Sequence, residues 1–429
     1  MKNALSMSGM IDLVHSALNG VPCDTSKNAM PIKDCLLSGL AVFSFKYPSL
    51  LQYDNDRQHT ETNLKNLFKV GSLPSDTYMR ERLDLINPRQ LRPCFTKLFA
   101  ALQRSKKLEA FQYYKGSYLV SLDGTGYFSS KEIHCEECCQ KKHRDGSTTY
   151  YHQVLQAAVV HPEIKQVIPF APEPISKQDG AKKNDCERNA AKRLLADMRR
   201  EHPHLDITIL ADALYSNEPF LAELETHRMP YIIGAKPTDH KWLFDYVEHA
   251  ETDTYEYRDE QGFVHCFEYL NDAPLNESHE NRRVNFLRYK ELSPKGKEKY
   301  FFWITGFELS DDNVFSIMKG GRARWRIENE TFNTLKNQGY HFEHNFGHGK
   351  KYLSHVFANL MLLAFTMDQL QELGCRRFRN ALASTKRRSY LWERMKVIFL
   401  GFIIKSWDAL FDGIANILPE NKPVFNDTG

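Results

Sequence analysis

The strongest constraint on this chain is a change of texture near residue 117, where helical periodicity gives way to strand-like runs. SYLVSLDGTGYFS, TTYYHQVLQAAVVHP and KQVIPFAPEP are rich in Val, Ile and Tyr and separated by turn residues. KKNDCERNAAKRLLADMRREHP then predicts a helix, with Asn184 and Glu187 at capping-box spacing and His202 and Pro203 as its stop. DITILADAL predicts a short buried strand, EPFLAELETHR a helix opened by Pro219, and YIIGAKP a further strand. The order is β-β-β-α-β-α-β, which places the chain in the α/β class.

The flanks read differently. Residues 1–110 are helical in pattern, through LLSGLAVFSF and LRPCFTKLFAAL, with Ser75 or Asp76 as N-cap of SDTYMRER. Their basic residues Lys65, Lys69, Arg80, Arg82 and Arg92 fit a solvated face as well as a DNA contact. Residues 238–318 alternate like antiparallel strands and read as a β-rich insertion. Helical signal returns with MKGGRARWRIENETFNTLKNQ and runs to a locally basic end, CRRFRNALASTKRRSYLWERMK. The expected divisions are a helical region 1–110, a core of 111–237 plus 319–370, an insertion 238–318, and a helical basic region 371–429. With 57 Lys and Arg against 54 Asp and Glu, the net charge of +3 commits the chain to no polyanion globally. A hydrophobic share of 42% excludes a disordered chain, and nine cysteines, an odd number, do not form a disulfide framework. The N-terminal stretch lacks the continuous apolar core of a signal peptide. LSHVFANLMLLAFTMDQL is interrupted by Ser354, His355, Asn359 and Asp368, so it reads as a buried helix and not a membrane span. The expectation is a cytoplasmic protein with no membrane partner.

Two aspartates close apolar runs, Asp123 in SYLVSLDGTG and Asp212 in DITILADALYSN. An acid at the tip of a buried strand is costly unless solvated, paired or bound to a cation. In the element order above, which is that of the ribonuclease-H-like fold, the first and fourth strands are central neighbours. Both carboxylates then emerge side by side. Taken singly, each Asp is also an ordinary cap of a strand-to-turn junction. Glu328 in RARWRIENETFNTLK is the third acid, with Glu330 in reserve. At about 100° per residue, Arg324, Glu328, Phe332 and Leu335 share one helical stripe, while Glu330 turns toward Arg326. Three converging carboxylates suit two magnesium ions, which take oxygen ligands. Such a pair, roughly 3.5–4 Å apart, activates a water or a 3′-hydroxyl and stabilises the leaving oxygen of a phosphodiester.

SLDGTG, ILADALYSN and RWRIENETFNTLKNQGY together resemble the DDE-type transposases of bacterial insertion sequences, in the family with a β-rich insertion and a Tyr-Arg-Glu-Lys signature. The likeness covers roughly residues 117–370. It implies a ribonuclease-H-like catalytic core interrupted by a β-rich insertion, and a catalytic, metal-binding triad of Asp123, Asp212 and Glu328. It implies two Mg2+, replaceable by Mn2+, and binding to terminal inverted repeats as a homodimer. Cleavage of the DNA end and joining of its 3′-hydroxyl to target DNA would follow, by a nucleoid-associated enzyme. The signature runs Tyr, two residues, Arg, three residues, Glu, six residues, Lys. Arg324 and Glu328 keep that spacing, but the tyrosine position is Gly321 and the lysine position Leu335, with Lys336 one place on. Arg324 and Lys336 inherit a DNA contact from the family; Arg326 and Lys350 join them as basic neighbours. A nuclease that cuts without joining and a catalytically idle, domesticated DNA-binding protein are the alternatives.

Two clusters stand apart from the triad. IHCEECCQKKHRDG offers Cys135, Cys138 and His143 for a structural zinc, with His152 or Cys186 as a fourth ligand; incidental thiols are the alternative. HFEHNFGHGKKYLSHV, a glycine-flanked basic loop, lets backbone approach phosphate or simply connects helices. Near the C-terminus, Arg376, Arg377, Arg379, Lys386, Arg387 and Arg388 supply local positive charge.

Overall fold

A computed structural model describes residues 3–22, 29–176 and 186–416. In chain order, α1 (Met7–Leu18), α2 (Ile32–Ser44), α3 (Leu50–Arg57), α4 (Glu61–Phe68), α5 (Asp76–Leu83) and α6 (Arg92–Arg104) come first. The strands β1 (Tyr118–Ser130), β2 (Cys139–Lys142), β3 (Thr148–Val160), β4 (Ile168–Pro169) and β5 (Glu173–Ile175) follow. Next, α7 (Glu187–Glu201), β6 (Ile207–Ala211), α8 (Glu218–Thr226) and β7 (Tyr231–Gly234) alternate. Helix α9 (Lys241–His249) leads into β8 (Asp253–Arg258), β9 (Val264–Pro274), β10 (Arg283–Leu292) and β11 (Glu298–Thr305). Helix α10 (Val314–Arg322), a π-helical segment Ile327–Phe332 and α11 (Asn333–Asn337) precede α12 (Leu353–Gly374), α13 (Arg376–Thr385), α14 (Arg388–Gly401) and α15 (Trp407–Ala415). The expected helix caps are met at Ser75, whose side chain accepts from Tyr78 N–H, and at His202, which ends α7. Asn184, the expected cap of α7, lies outside the described residues.

The chain divides into two units, one of Met1–Leu108, Gly126–His152 and Asn333–Gly429, the other of Glu109–Thr125 and Gln153–Phe332. The division falls inside β1 and inside β3. In the first unit α12 packs against α2 and α6. Its side chains are buried along almost its whole length, including Ser354, His355, Asn359 and Asp368. Among the described residues no helix is long and apolar enough to cross a membrane.

The N-terminus of α12 is held by Asp84. Its Oδ1 accepts the N–H groups of Lys351, Tyr352 and Leu353, and its Oδ2 that of Lys350, at 2.8–3.0 Å. The N–H groups of Tyr352 and Leu353 are donors that a helix start leaves unpaired, those of Lys350 and Lys351 belong to the segment leading into it, and a carboxylate also complements the helix dipole. Burial pushes the Asp84 carboxyl up, but the four N–H groups outweigh it and hold it below its ordinary value. A lowered folded-state pKa means stability that is present above the ordinary carboxylate range and lost as pH falls through the folded value. Asp84→Ala is therefore expected to cost about 2 kcal/mol at neutral pH. In urea denaturation that deficit should shrink below about pH 4, where the wild-type carboxylate also protonates. A pH-independent deficit would exclude the charge as its source.

The second unit is built on one mixed sheet, ordered β3-β1-β6-β7-β11-β10-β9-β8, with β4 and β5 paired to β3. β1 runs parallel to β6 and β6 to β7. β6, ITILA, is buried at every residue, as a parallel strand covered on both faces must be. Ala190, Ala191, Leu194, Leu195 and Met198 form the buried side of α7. β11 pairs antiparallel with β7, so the β8–β11 meander continues the sheet. Residues 238–318 are thus not strands alone. They open with α9, whose Leu243, Phe244 and Val247 are buried at helical spacing.

Candidate active site

The parallel pairing of β1 with β6 matches Val120 to Ile209 and Ser121 to Leu210. Two residues beyond that last pair stand Asp123 and Asp212, at equivalent positions on neighbouring strands. Asp212 leaves β6 as expected, and its Oδ1 caps the following turn by accepting Leu214 N–H at 2.9 Å. Asp123 differs from expectation: it is not at a strand tip, because β1 runs on through Gly124 and Gly126 to Ser130. It lies instead where the printed pairing with β6 stops.

Glu328, late in the unit, comes close to Asp123 through Arg324. Arg324 donates to Glu328 at 2.6 Å and lies 3.9 Å from Asp123, so one guanidinium stands between the two acids. Ser121 Oγ donates to the Arg324 carbonyl at 3.0 Å, which ties this segment to β1 two residues before Asp123. Glu330 goes elsewhere, 3.6 Å from Arg326. A regular helical stripe through Glu328 is not what forms. The turn from Ile327 to Phe332 is π-helical, a wider turn common at functional sites. Arg324 and Glu328 still meet across one turn.

A fourth acid, Glu187 at the start of α7, is expected from the sequence only as part of a helix cap and not at this site. Its Oε1 accepts the Tyr215 hydroxyl at 2.9 Å. A Cβ on Gly124 would lie 2.7 Å from its carboxyl carbon, so only glycine lets Glu187 approach β1 this closely. The one sequence signal was Gly124 immediately after Asp123, which reads as a turn residue until a carboxylate is found against it.

Electrostatics reflect the crowding. Burial pushes the Asp123 carboxyl up to about 7, with Glu328 and Glu187 adding to the rise and Arg324 opposing it. Burial also raises Glu187, opposed by the Tyr215 hydrogen bond and reinforced by Asp212. Buried carboxyls whose proton affinity is raised by desolvation and by one another form a setting that favours a cation. All the donors are carboxylate oxygens, which fits hard divalent ions such as Mg2+ or Mn2+.

The signature positions that departed from the family pattern are structurally closed. A Cβ at Gly321 would lie 2.5 Å from the Trp303 indole nitrogen, so no tyrosine fits there. Leu335 is fully buried. Of the basic residues expected at DNA, Arg326 donates to the Pro162 carbonyl at 2.7 Å, and Lys336 pairs with Glu343 at 2.8 Å. Lys350 is exposed. The C-terminal arginines are partly engaged within the fold: Arg377 with Asp408 and Asp412, Arg388 with both oxygens of Glu372. A cleft of about 590 Å3 is lined by Trp325, Arg326, Arg322 and Phe315, and by none of Asp123, Asp212, Glu328 and Glu187. Trp325 is 54% exposed, with Arg324 over its ring.

In the first unit, Cys135 and Cys138 gather with His152 and His348, all buried, their ligand atoms within 4.8 Å of one another. His143 is not with them. It is exposed and its Nε2 lies 2.7 Å from Thr149 Oγ1, because the turn that carries it projects away along the β2–β3 hairpin. His152 takes the place open to it in the sequence. His348, far along the chain in the glycine-flanked loop, carried no signal linking it to the cysteines.

No curated protein matches the chain. The Transposase DDE domain family matches residues 130–367, a span that includes Asp212 and Glu328 and begins just after Asp123. With more than half of its 429 residues matched, the chain belongs to the Transposase DDE domain family.

Proposed function

We propose that this protein is a DNA transposase that binds the terminal inverted repeats of its element, cleaves the DNA end and joins the freed 3′-hydroxyl to target DNA. The observation that carries the reading is the register of β1 on β6, which sets Asp123 and Asp212 at matching positions, with Arg324 joining Glu328 to Asp123. The strand order around them, with β4 and β5 on β3 and then β1, β6 and β7, supports a ribonuclease-H-like core. On this reading 111–237 with 319–370 is that core and 238–318 the insertion, and the helical regions 1–110 and 371–429 serve DNA binding.

Asp123, Asp212 and Glu328 would hold the divalent cations. Bound there, two such ions activate the attacking oxygen and stabilise the leaving one. Arg324 fixes the Glu328 carboxylate and offers its remaining N–H groups to a phosphate beside the acids. Tyr215 holds Glu187 against β1, so that its charge stays close to Asp123 and Asp212. Arg326, Lys336 and Lys350 are the further proposed contacts to DNA phosphates, and a homodimer on paired ends the proposed assembly.

The test uses duplexes from the inverted repeats flanking the gene, labelled at the 3′ end and incubated with protein and Mg2+ or Mn2+. Cleavage followed by labelled strand-transfer product is the expected result. Cleavage without joining would identify a nuclease, and end binding with neither step an idle DNA-binding protein; either would overturn the proposal.

A further inference from the structure

We infer that the first unit contains a structural zinc site made by Cys135 Sγ, Cys138 Sγ, His152 Nε2 and His348 Nε2. Their separations are 3.7 Å between the sulfurs, 3.4 Å from each sulfur to His152, and 3.2 Å from Cys138 to His348. A tetrahedral Zn2+ with bonds of about 2.3 Å to sulfur and 2.05 Å to nitrogen requires edges of about 3.8 Å for S–S and 3.5 Å for S–N. These four separations, among side chains from three chain segments, meet those edges to within about 0.4 Å, and all four ligand atoms lie within 4.8 Å of one another. Hydrophobic packing alone has no reason to reproduce that figure.

Burial makes the same point. All four side chains are at most 7% exposed, and Cys138 and His152 are fully covered. Without a cation, two thiols and two imidazoles face one another in a closed space and offer each other only weak S–H···N bonds. A cation would satisfy all four inward atoms at once. Two soft thiolates and two imidazoles in tetrahedral array select Zn2+ over the oxygen-seeking ions expected at the acids.

The backbone is shaped to present these ligands. Cys135 N–H donates to Cys138 Sγ at 3.4 Å across the Cys-x-x-Cys turn. His348 sits between Gly347 and Gly349, both at positive φ, so the chain turns sharply on either side of it. The metal would pin the 341–352 loop to the turn before β2, reinforcing the backbone link from Glu136 N–H to the Lys350 carbonyl. The four ligands do not form a contiguous finger, because His348 lies far along the chain from Cys135, Cys138 and His152.

The test is the metal content of the purified full-length chain, read by plasma mass spectrometry without any DNA reaction. About one zinc per chain is expected, and Co2+ in its place should give the visible bands and thiolate charge-transfer absorption of a tetrahedral site. His348→Ala should reduce zinc to trace, while His143→Ala should retain it. Because Cys138 is fully buried and its variants can fail to fold, the wild-type cobalt spectrum is the deciding measurement. Folded wild-type protein with no zinc and no cobalt charge-transfer band would overturn the inference. So would zinc lost in His143→Ala but kept in His348→Ala.

Discussion

Asp123→Asn and Asp212→Asn are each expected to lower DNA cleavage by at least about a thousandfold, equivalent to about 4 kcal/mol of barrier. Asparagine keeps the volume of aspartate but not its charge, and in both positions the charge is what would hold a cation. At Asp212 the amide oxygen can still cap the turn by accepting Leu214 N–H, so the fold should persist. Binding to the element end should remain within a few-fold of wild type, since neither acid attracts phosphate. Gel-shift and cleavage assays on one labelled duplex read both quantities together. A variant that cut at the wild-type rate would remove its residue from the active site.

The largest expected effect on stability lies in the first unit. Lys46 and Asp368 form an ion pair at 2.7 Å with side chains only 3% and 6% exposed, and Tyr340 donates to the same carboxylate oxygen at 2.5 Å. Lys46 also lies over the rings of Tyr340 and Trp392. Burial lowers the proton affinity of Lys46 and raises that of Asp368, and each partner's charge opposes the shift of the other. Removing one partner leaves a buried, uncompensated charge, so Asp368→Ala is expected to cost about 3–5 kcal/mol. Lys46→Met should be similarly damaging, while the double variant should cost clearly less than the sum. A double-mutant cycle in urea measures this directly, and additive losses would show that the two groups do not act as a pair.

The middle of the second unit could be read from residues alone because β6 and β7 are short, apolar and separated by strong helix signals. The placement of Asp123 and Asp212 on adjacent strands followed from element order, and the observed register agrees with it. Other features depended on contacts that no local pattern encodes. Glu187 resembles any acid in the first turn of a helix, and its role emerges only because Gly124 leaves room for it on β1. The π turn at Ile327–Phe332 has no signature in a reading that assumes constant helical periodicity. His348 joins Cys135 and Cys138 only through the folding of the first unit, whereas His143, nearer in sequence, is carried off by a hairpin.

The contact between Trp303 and Gly321 bears on how far this protein can be shortened. Trp303 belongs to β11, the strand that joins the meander to β7, and its indole lies against the helix leading to Arg324 and Glu328. Excising the meander to make a minimal protein would therefore take away a wall behind α10, the helix that precedes Arg324 and Glu328. A trimmed version would have to rebuild that wall, with a bulkier residue at 321 filling the space the indole leaves.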